Sequence, residues 1–317
     1  MRGYKYREVI QFKAAHDEST VLCGYTEMAK SEKPSANWPV RGRLLLKYSV
    51  SMESIQSIKA RLSADRPRKD LLEEGAEFFE LIRSLERECS IKTMDLLSRG
   101  DKSDPTHFDC ICAACSLLDD MASCMWECTG GDHSVHRLCG KVSSHSKATL
   151  CLLRNGYYDE AFALCRIIGE TANLLCLFCA DGQELEKWCA EKEKDRADEF
   201  KPKDVRGRLN RLGISLPIDE EEYWELSNRV VHANPHTRPQ VYNDRDMSML
   251  GSVFQEDGLR SGLSTLTEFL CLTTFFGSKL LHIPNRPKRI ITRHINSIAK
   301  CSDICLDSYE VEVTNSG

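Results

Sequence analysis

Residues 157–180, YYDEAFALCRIIGETANLLCLFCA, constrain the fold more than any other stretch. At 3.6 residues per turn, Ala161, Cys165, Ile168, Ala172, Leu175 and Cys179 fall on one face. Ile167, Leu174 and Phe178 widen that face on one side and Cys176 on the other. Only a narrow stripe is polar: Asp159, Arg166, Glu170 and Asn173. A helix apolar nearly all round is a buried helix. The rest of the chain must therefore wrap it, and its arginine and glutamate must pair or face a wet cavity.

Periodicity elsewhere predicts more helices and hence an all-α multi-helix bundle. A long helix is expected over 67–99, with Leu71, Leu72, Phe78, Phe79, Ile82, Leu85, Cys89 and Met94 at three- and four-residue spacing and Gly100 to end it. A second is expected after Asp104-Pro105, where aspartate caps and proline takes the first turn, continuing to 128. A third covers 134–154. The Asn155-Gly156 turn is short enough to make this helix and the central one an antiparallel hairpin. The charged run 183–200 reads as a solvated surface helix, and a short helix follows over 202–213. Asp219 with Glu222 three residues on is a capping-box start for a helix carrying Tyr223, Trp224, Leu226, Val230 and Val231, which stops near Ala233 ahead of Pro235. The last strong helix is expected over 258–282.

The flanks are less patterned. Residues 1–66 form an N-terminal extension with two segments of weak strand character and one that fits a short helix. Residues 284–317 read as a tail, basic at first and then polar, poorly ordered at its end. The chain is thus divided into an extension (1–66), a helical bundle (67–283) and a tail (284–317).

The net charge of -5 argues against a protein that coats nucleic acid or a membrane, while leaving room for a local basic patch. Many of the 16 cysteines sit at apolar helical positions, where free cysteine behaves as a small hydrophobe. Met1 is followed by polar and charged residues rather than an apolar leader, so a reduced, cytoplasmic setting is expected. No stretch is read as a membrane span. The nearest, 266–283, is interrupted by Glu268 and Lys279.

Several chemistries can be weighed against this frame. Cys110, Cys112 and Cys115, the pair Cys176 and Cys179, and His133 with His136 have ligand-like spacings, but all fall in or beside helical patterns rather than on convergent turns. No metal and no cofactor is expected. Glu-x-x-His, which a di-iron bundle would use, does not occur, nor does a Gly-x-Ser-x-Gly elbow or a phosphate-cradling glycine loop. Two polar clusters remain: Arg166 with Glu170, and Glu225, Arg229, His232 and His236 along one line of the helix that begins at Asp219. The second can be an ion pair, Glu225 with Arg229, ahead of histidines that suit a helix C-terminus. Alternatively, both clusters meet in one cavity, where Arg229 positions a phosphate and a histidine moves a proton.

Arg166 and Glu170 on a buried helix, followed by Tyr223, Leu226, Ser227, Val231 and His232, resemble a group of helical proteins related to the HEPN superfamily. The resemblance spans 134–282. It implies a helical bundle that forms homodimers. Many HEPN proteins are metal-independent endoribonucleases of toxin–antitoxin and antiviral systems, and others are RNA-binding or scaffold domains. Their signature is an arginine, usually followed by a polar residue, then four to six residues and a histidine, and Arg229 and His236 have six residues between them. In this chain Asn228 precedes the arginine, and Pro235 stands directly before His236.

Carried over, the resemblance makes Arg229 the phosphate clamp and His232 or His236 the base. Arg166, Glu170, Asn173, Tyr223 and Glu225 form the supporting network, and RNA is the partner in a defence or stress-response role. Basic segments at 201–211 and 286–293 could hold an RNA backbone. The competing expectation is a non-catalytic interaction, scaffold or RNA-binding module, in which the same network fixes helix packing and a protein partner is engaged. Neither reading involves a membrane.

Overall fold

The computed structural model describes residues 71–99, 106–123, 126, 133–231 and 251–309; the side chains of Leu71, Leu72, Arg229 and Val230 are not among them. The expectations for residues 1–66 lie outside these residues. The described chain is all helix: α1 Leu71–Ser98, α2 His107–Ala122, α3 Ser134–Arg154, α4 Tyr158–Ala180, α5 Gly182–Ala190, α6 Glu193–Glu199, α7 Pro202–Arg211, α8 Glu220–Leu226, α9 Glu256–Leu280 and α10 Asn285–Cys301. A π-helical turn, Ser227–Val231, continues α8, and a 3-10 turn, Leu306–Tyr309, follows α10.

The bundle is organised around α4. Tyr158, Ala161, Cys165, Ile168, Ala172, Leu175, Cys176 and Leu177 are fully buried. The helix packs chiefly on α9 and α3, and α2 closes the bundle against α3 and α9. Complete burial of each large apolar side chain contributes about 1.5–3 kcal/mol, so this helix anchors the fold. By length and apolarity alone Tyr158–Ala180 would pass as a membrane span, contrary to the sequence expectation. Its burial among neighbouring helices gives that apolarity a core role here. Gly156 makes the tight α3–α4 turn possible. Its φ is +81°, and a Cβ there would lie 2.9 Å from Cys89 Sγ and from the Val253 backbone nitrogen.

Several expectations need correction. The α2 cap is Thr106, in a reciprocal capping box with Asp109, and the helix ends at Ala122 rather than near 128. The charged run 183–200 breaks into α5 and α6, because Glu191 and Lys192 adopt extended backbone. Arg208 then ties the pieces to α7: it donates to Glu184 Oε2 at 2.5 Å and to the Glu199 carbonyl at 2.9 Å, over the Phe200 ring. The proposed tail after residue 284 begins with a 17-residue helix, α10, whose Ile291, Ile295, Ile298 and Ala299 are buried against the bundle. Finally, Phe78, Phe79 and Met94 of α1 were expected to lie on a core stripe, yet they are about half exposed. The buried contacts of α1 are concentrated at Cys89 and Thr93, near the α3–α4 turn.

Candidate functional site

The polar stripe of α4 meets α7 and α8 on the flank of the bundle. Three local features bring them there. Gly169 leaves the surface of α4 open to close packing: an added Cβ would meet Ile218 and Phe269 carbons at 3.2 Å. Ile218 therefore packs down fully buried just ahead of α8. Asn173 then clamps its backbone from both sides, donating through Nδ2 to the Ile218 carbonyl at 2.9 Å and accepting from the Ile218 N–H at 3.1 Å. Asp219 caps α8 one residue later, accepting from the Glu222 N–H at 2.8 Å. The register of α8 against α4 is thereby set.

In that register Tyr223 lies among Arg166, Glu170 and Arg206. The Arg206 guanidinium carbon is 4.1 Å from the Tyr223 ring centroid and that of Arg166 is 5.5 Å away, both within cation–π range. The Tyr223 hydroxyl faces Glu170 and favours its ionised form. Arg166 Nε lies 3.3 Å from Glu170 Oε1, and its Nη1 donates to Ser227 Oγ at 3.2 Å. Ser227 is the first residue of the π-helical turn, so the half-buried Arg166 holds the segment that carries Arg229 in its backbone. Such π-turns are uncommon and concentrate at functional sites.

Cationic charge is in excess. Glu170 is the carboxylate that pairs with Arg166 in this cluster. Burial pushes its carboxyl above the ordinary glutamate range, against the opposing pull of Arg166, the Tyr223 hydroxyl, Arg206 and Lys141. Two buried guanidinium atoms, Arg166 Nε and Arg206 Nη1, have no hydrogen-bond acceptor among the described residues. The Arg166–Glu170 contact is thus an ion pair without hydrogen-bond alignment. Arg206 is only 6% exposed. A buried donor without an acceptor costs about 1–3 kcal/mol, more when charged. An arrangement that retains two such donors around one weakened carboxylate is suited to receiving an anion.

The other side of α8 has the opposite character. Burial first, then Glu268, Asp219 and Glu225, push the Glu222 carboxyl up to about 8. Burial also raises Glu268 above its usual range. Tyr309 from the last turn is pushed up to about 12, by burial first and then by Glu268 and other neighbouring groups. The helix therefore separates a cationic flank from an acidic one.

Of the residues singled out from the sequence, Arg166, Glu170 and Tyr223 come together directly. Asn173 is fully buried and acts on the backbone ahead of α8 rather than within the charged cluster. Glu225 is half-buried on α8 and adds to the acidic side. Arg229 is placed by its backbone in the π-turn, while His232 and His236 lie outside the described residues. Sequence reasoning missed Arg206, which it counted within a basic surface segment. The available signal was its position: it follows Val205 and precedes Leu209 by three residues, so it shares the buried face of α7 with them. The π-turn has no comparable sequence signal.

These features define an all-α bundle with a buried cationic cluster on one flank of its central helix. Residues 132–215, from α3 through α7, match the model of a family described as a family of unknown function (DUF5677). The matched segment includes Arg166, Glu170, Asn173 and Arg206 and ends ahead of Tyr223. No curated protein and no solved structure matches the chain.

Proposed function

We propose that this protein binds RNA through its phosphates at the α4–α7–α8 flank and cleaves it without a metal ion, as HEPN-like endoribonucleases do. The observation that carries the reading is the pair of buried guanidinium nitrogens, Arg166 Nε and Arg206 Nη1, that have no hydrogen-bond acceptor among the described residues, beside the π-turn that contains Arg229. Arginine offers a planar fork that matches phosphate oxygens. Arg229 is the clamp for the charge that develops on phosphorus, and Arg166 and Arg206 supply the positive field behind it.

His232, the residue after the π-turn, or His236 removes the 2′-hydroxyl proton, a role suited to a group that titrates near neutral pH. The 2′-oxygen attacks the adjacent phosphorus, the bond from phosphorus to the 5′-oxygen breaks, and that oxygen takes up a proton. The products are a 2′,3′-cyclic phosphate and a 5′-hydroxyl. Cleavage of single-stranded RNA by the wild type in the presence of a chelator, lost in Arg229→Ala and His232→Ala with helicity unchanged, is the expected outcome. RNA left intact by the wild type would refute the catalytic reading.

A second reading has its own support. The Asn173–Ile218 clamp and the Arg166–Ser227 bond fix helix packing, as a non-catalytic interaction module would require. Under that reading Arg166→Ala would unfold the flank, and neither RNA binding nor cleavage would be measurable.

A further inference from the structure

We infer that the exposed face of α10 is a second nucleic-acid contact, a linear track for a phosphate backbone that is separate from the α4–α7–α8 flank. The helix, NRPKRIITRHINSIAKC, carries Arg286, Lys288, Arg289, Arg293 and Lys300 and has no acidic residue. This composition stands out in a chain whose net charge is -5. At 100° per residue, Arg286, Arg289, Arg293 and Lys300 fall within about 60° of one another. Ile291, Ile295, Ile298 and Ala299 occupy the opposite side and are buried. All four cations are exposed. None of them is in an ion pair among the described residues, whereas elsewhere on the surface lysines and arginines commonly are, as in Lys147–Asp119 and Arg260–Glu256. With a rise of about 1.5 Å per residue, the stripe from 286 to 300 extends roughly 21 Å.

A second observation points the same way. Arg286 and Lys288 lie in the first turn of α10, and no acidic residue accompanies them there. Cations at a helix N-terminus oppose the macrodipole. A sequence optimised for stability would place aspartate or glutamate at these positions. Keeping arginine and lysine there instead fits a polyanion that binds both the side chains and the positive end of the helix.

An anionic membrane surface is the other polyanion a basic amphipathic helix can meet. Binding of that kind inserts the apolar face among lipids. Here that face is committed to the core, where α10 packs on α9 and α2. Charge alone remains available, and charge arrayed along a line matches a phosphate backbone.

The test uses the full-length chain and a fluorescein-labelled single-stranded oligodeoxynucleotide of about 20 residues. This probe lacks the 2′-hydroxyl and stays intact if the chain cleaves RNA, so the outcome is independent of the proposed catalysis. Four phosphate contacts on this face contribute about −2.8 to the slope of log K against log salt, roughly 50-fold of the weakening between 50 and 200 mM salt. Arg286→Glu/Arg289→Glu removes two of them, so the slope should become shallower by about 1.4 and the loss over that range about sevenfold smaller. Its melting temperature should not fall, because the first turn gains an acid. Lys192→Glu/Lys194→Glu, which changes net charge equally at exposed sites at the start of α6, should bind as the wild type does. The inference is overturned by no binding in the wild type, by an equal loss in both double variants, or by binding to anionic phospholipid vesicles in place of the oligonucleotide.

Discussion

Asn173 offers the sharpest test of how the site is assembled. It is 2% exposed, and its side chain answers both backbone groups of the fully buried Ile218, at 2.9 and 3.1 Å. Asn173→Ala would leave an N–H and a carbonyl buried without partners. Each stranded group costs about 1–3 kcal/mol. Part of this is offset by the rotamer freedom no longer lost and by local relaxation, so a net destabilisation of about 3 kcal/mol is expected. For a domain of this size that corresponds to a fall in melting temperature of roughly 6–12 °C.

Asn173→Asp sharpens the test. An ionised carboxylate accepts from the Ile218 N–H but opposes the Ile218 carbonyl, whereas a protonated carboxyl restores a donor. Its stability deficit should therefore shrink as pH falls from 7 to 5. Urea unfolding followed by circular dichroism measures both effects. Thr171→Ala serves as control, because its hydroxyl bonds only back to the Ile167 carbonyl within the same helix. A loss below about 1 kcal/mol for Asn173→Ala, or one no larger than that of Thr171→Ala, would refute the claim that this side chain sets the register of α8.

Three further outcomes follow from particular contacts. Gly156→Ala places a side chain at positive φ against Val253 backbone atoms 2.9 and 3.0 Å away; left-handed strain of about 1–2 kcal/mol and overpacking of about 1–3 kcal/mol should add, which urea midpoints will show. Glu222 titrates near 8 in the folded state against 4.5 ordinarily, so between these values the folded form keeps a proton that the unfolded form has lost. Wild-type stability should therefore fall as pH rises through that window, and Glu222→Gln should flatten the slope and be the more stable of the two at pH 8 and above. Arg206→Met replaces a buried guanidinium, whose Nη1 has no acceptor among the described residues, with apolar volume. Its unfolding free energy should stay within about 1 kcal/mol of the wild type or rise, while RNA affinity falls at least about tenfold; loss of stability with affinity intact would remove Arg206 from the site.

Much of the bundle was legible because long-range burial leaves a local trace. Residues 157–180 are apolar nearly all round, as a core helix is, and the short Asn155-Gly156 turn pointed to its antiparallel partner. The boundaries of α3, α4 and α9 fall within one or two residues of expectation. The misses share a cause. The tail helix α10 is basic and begins after Pro284, so its buried isoleucines were outweighed by its charge. Phe78, Phe79 and Met94 have helical spacing, yet spacing alone does not say what will cover a face. In the site, the proximity of Arg166, Glu170 and Tyr223 was readable from their motif. Arg206 reaches them through the tertiary docking of α7, and the π-turn depends on how Ser227 meets Arg166. Neither leaves a signature that a single sequence can display.

The most direct test of the central claim is the chemistry of the RNA ends left by the wild-type protein in the presence of a chelator, read by mass spectrometry beside Arg229→Ala and His232→Ala. The account predicts 2′,3′-cyclic phosphate and 5′-hydroxyl ends from the wild type and intact RNA from both variants at unchanged helicity. Intact RNA with the wild type, ends carrying a 5′-phosphate, or cleavage that persists in both variants would contradict it.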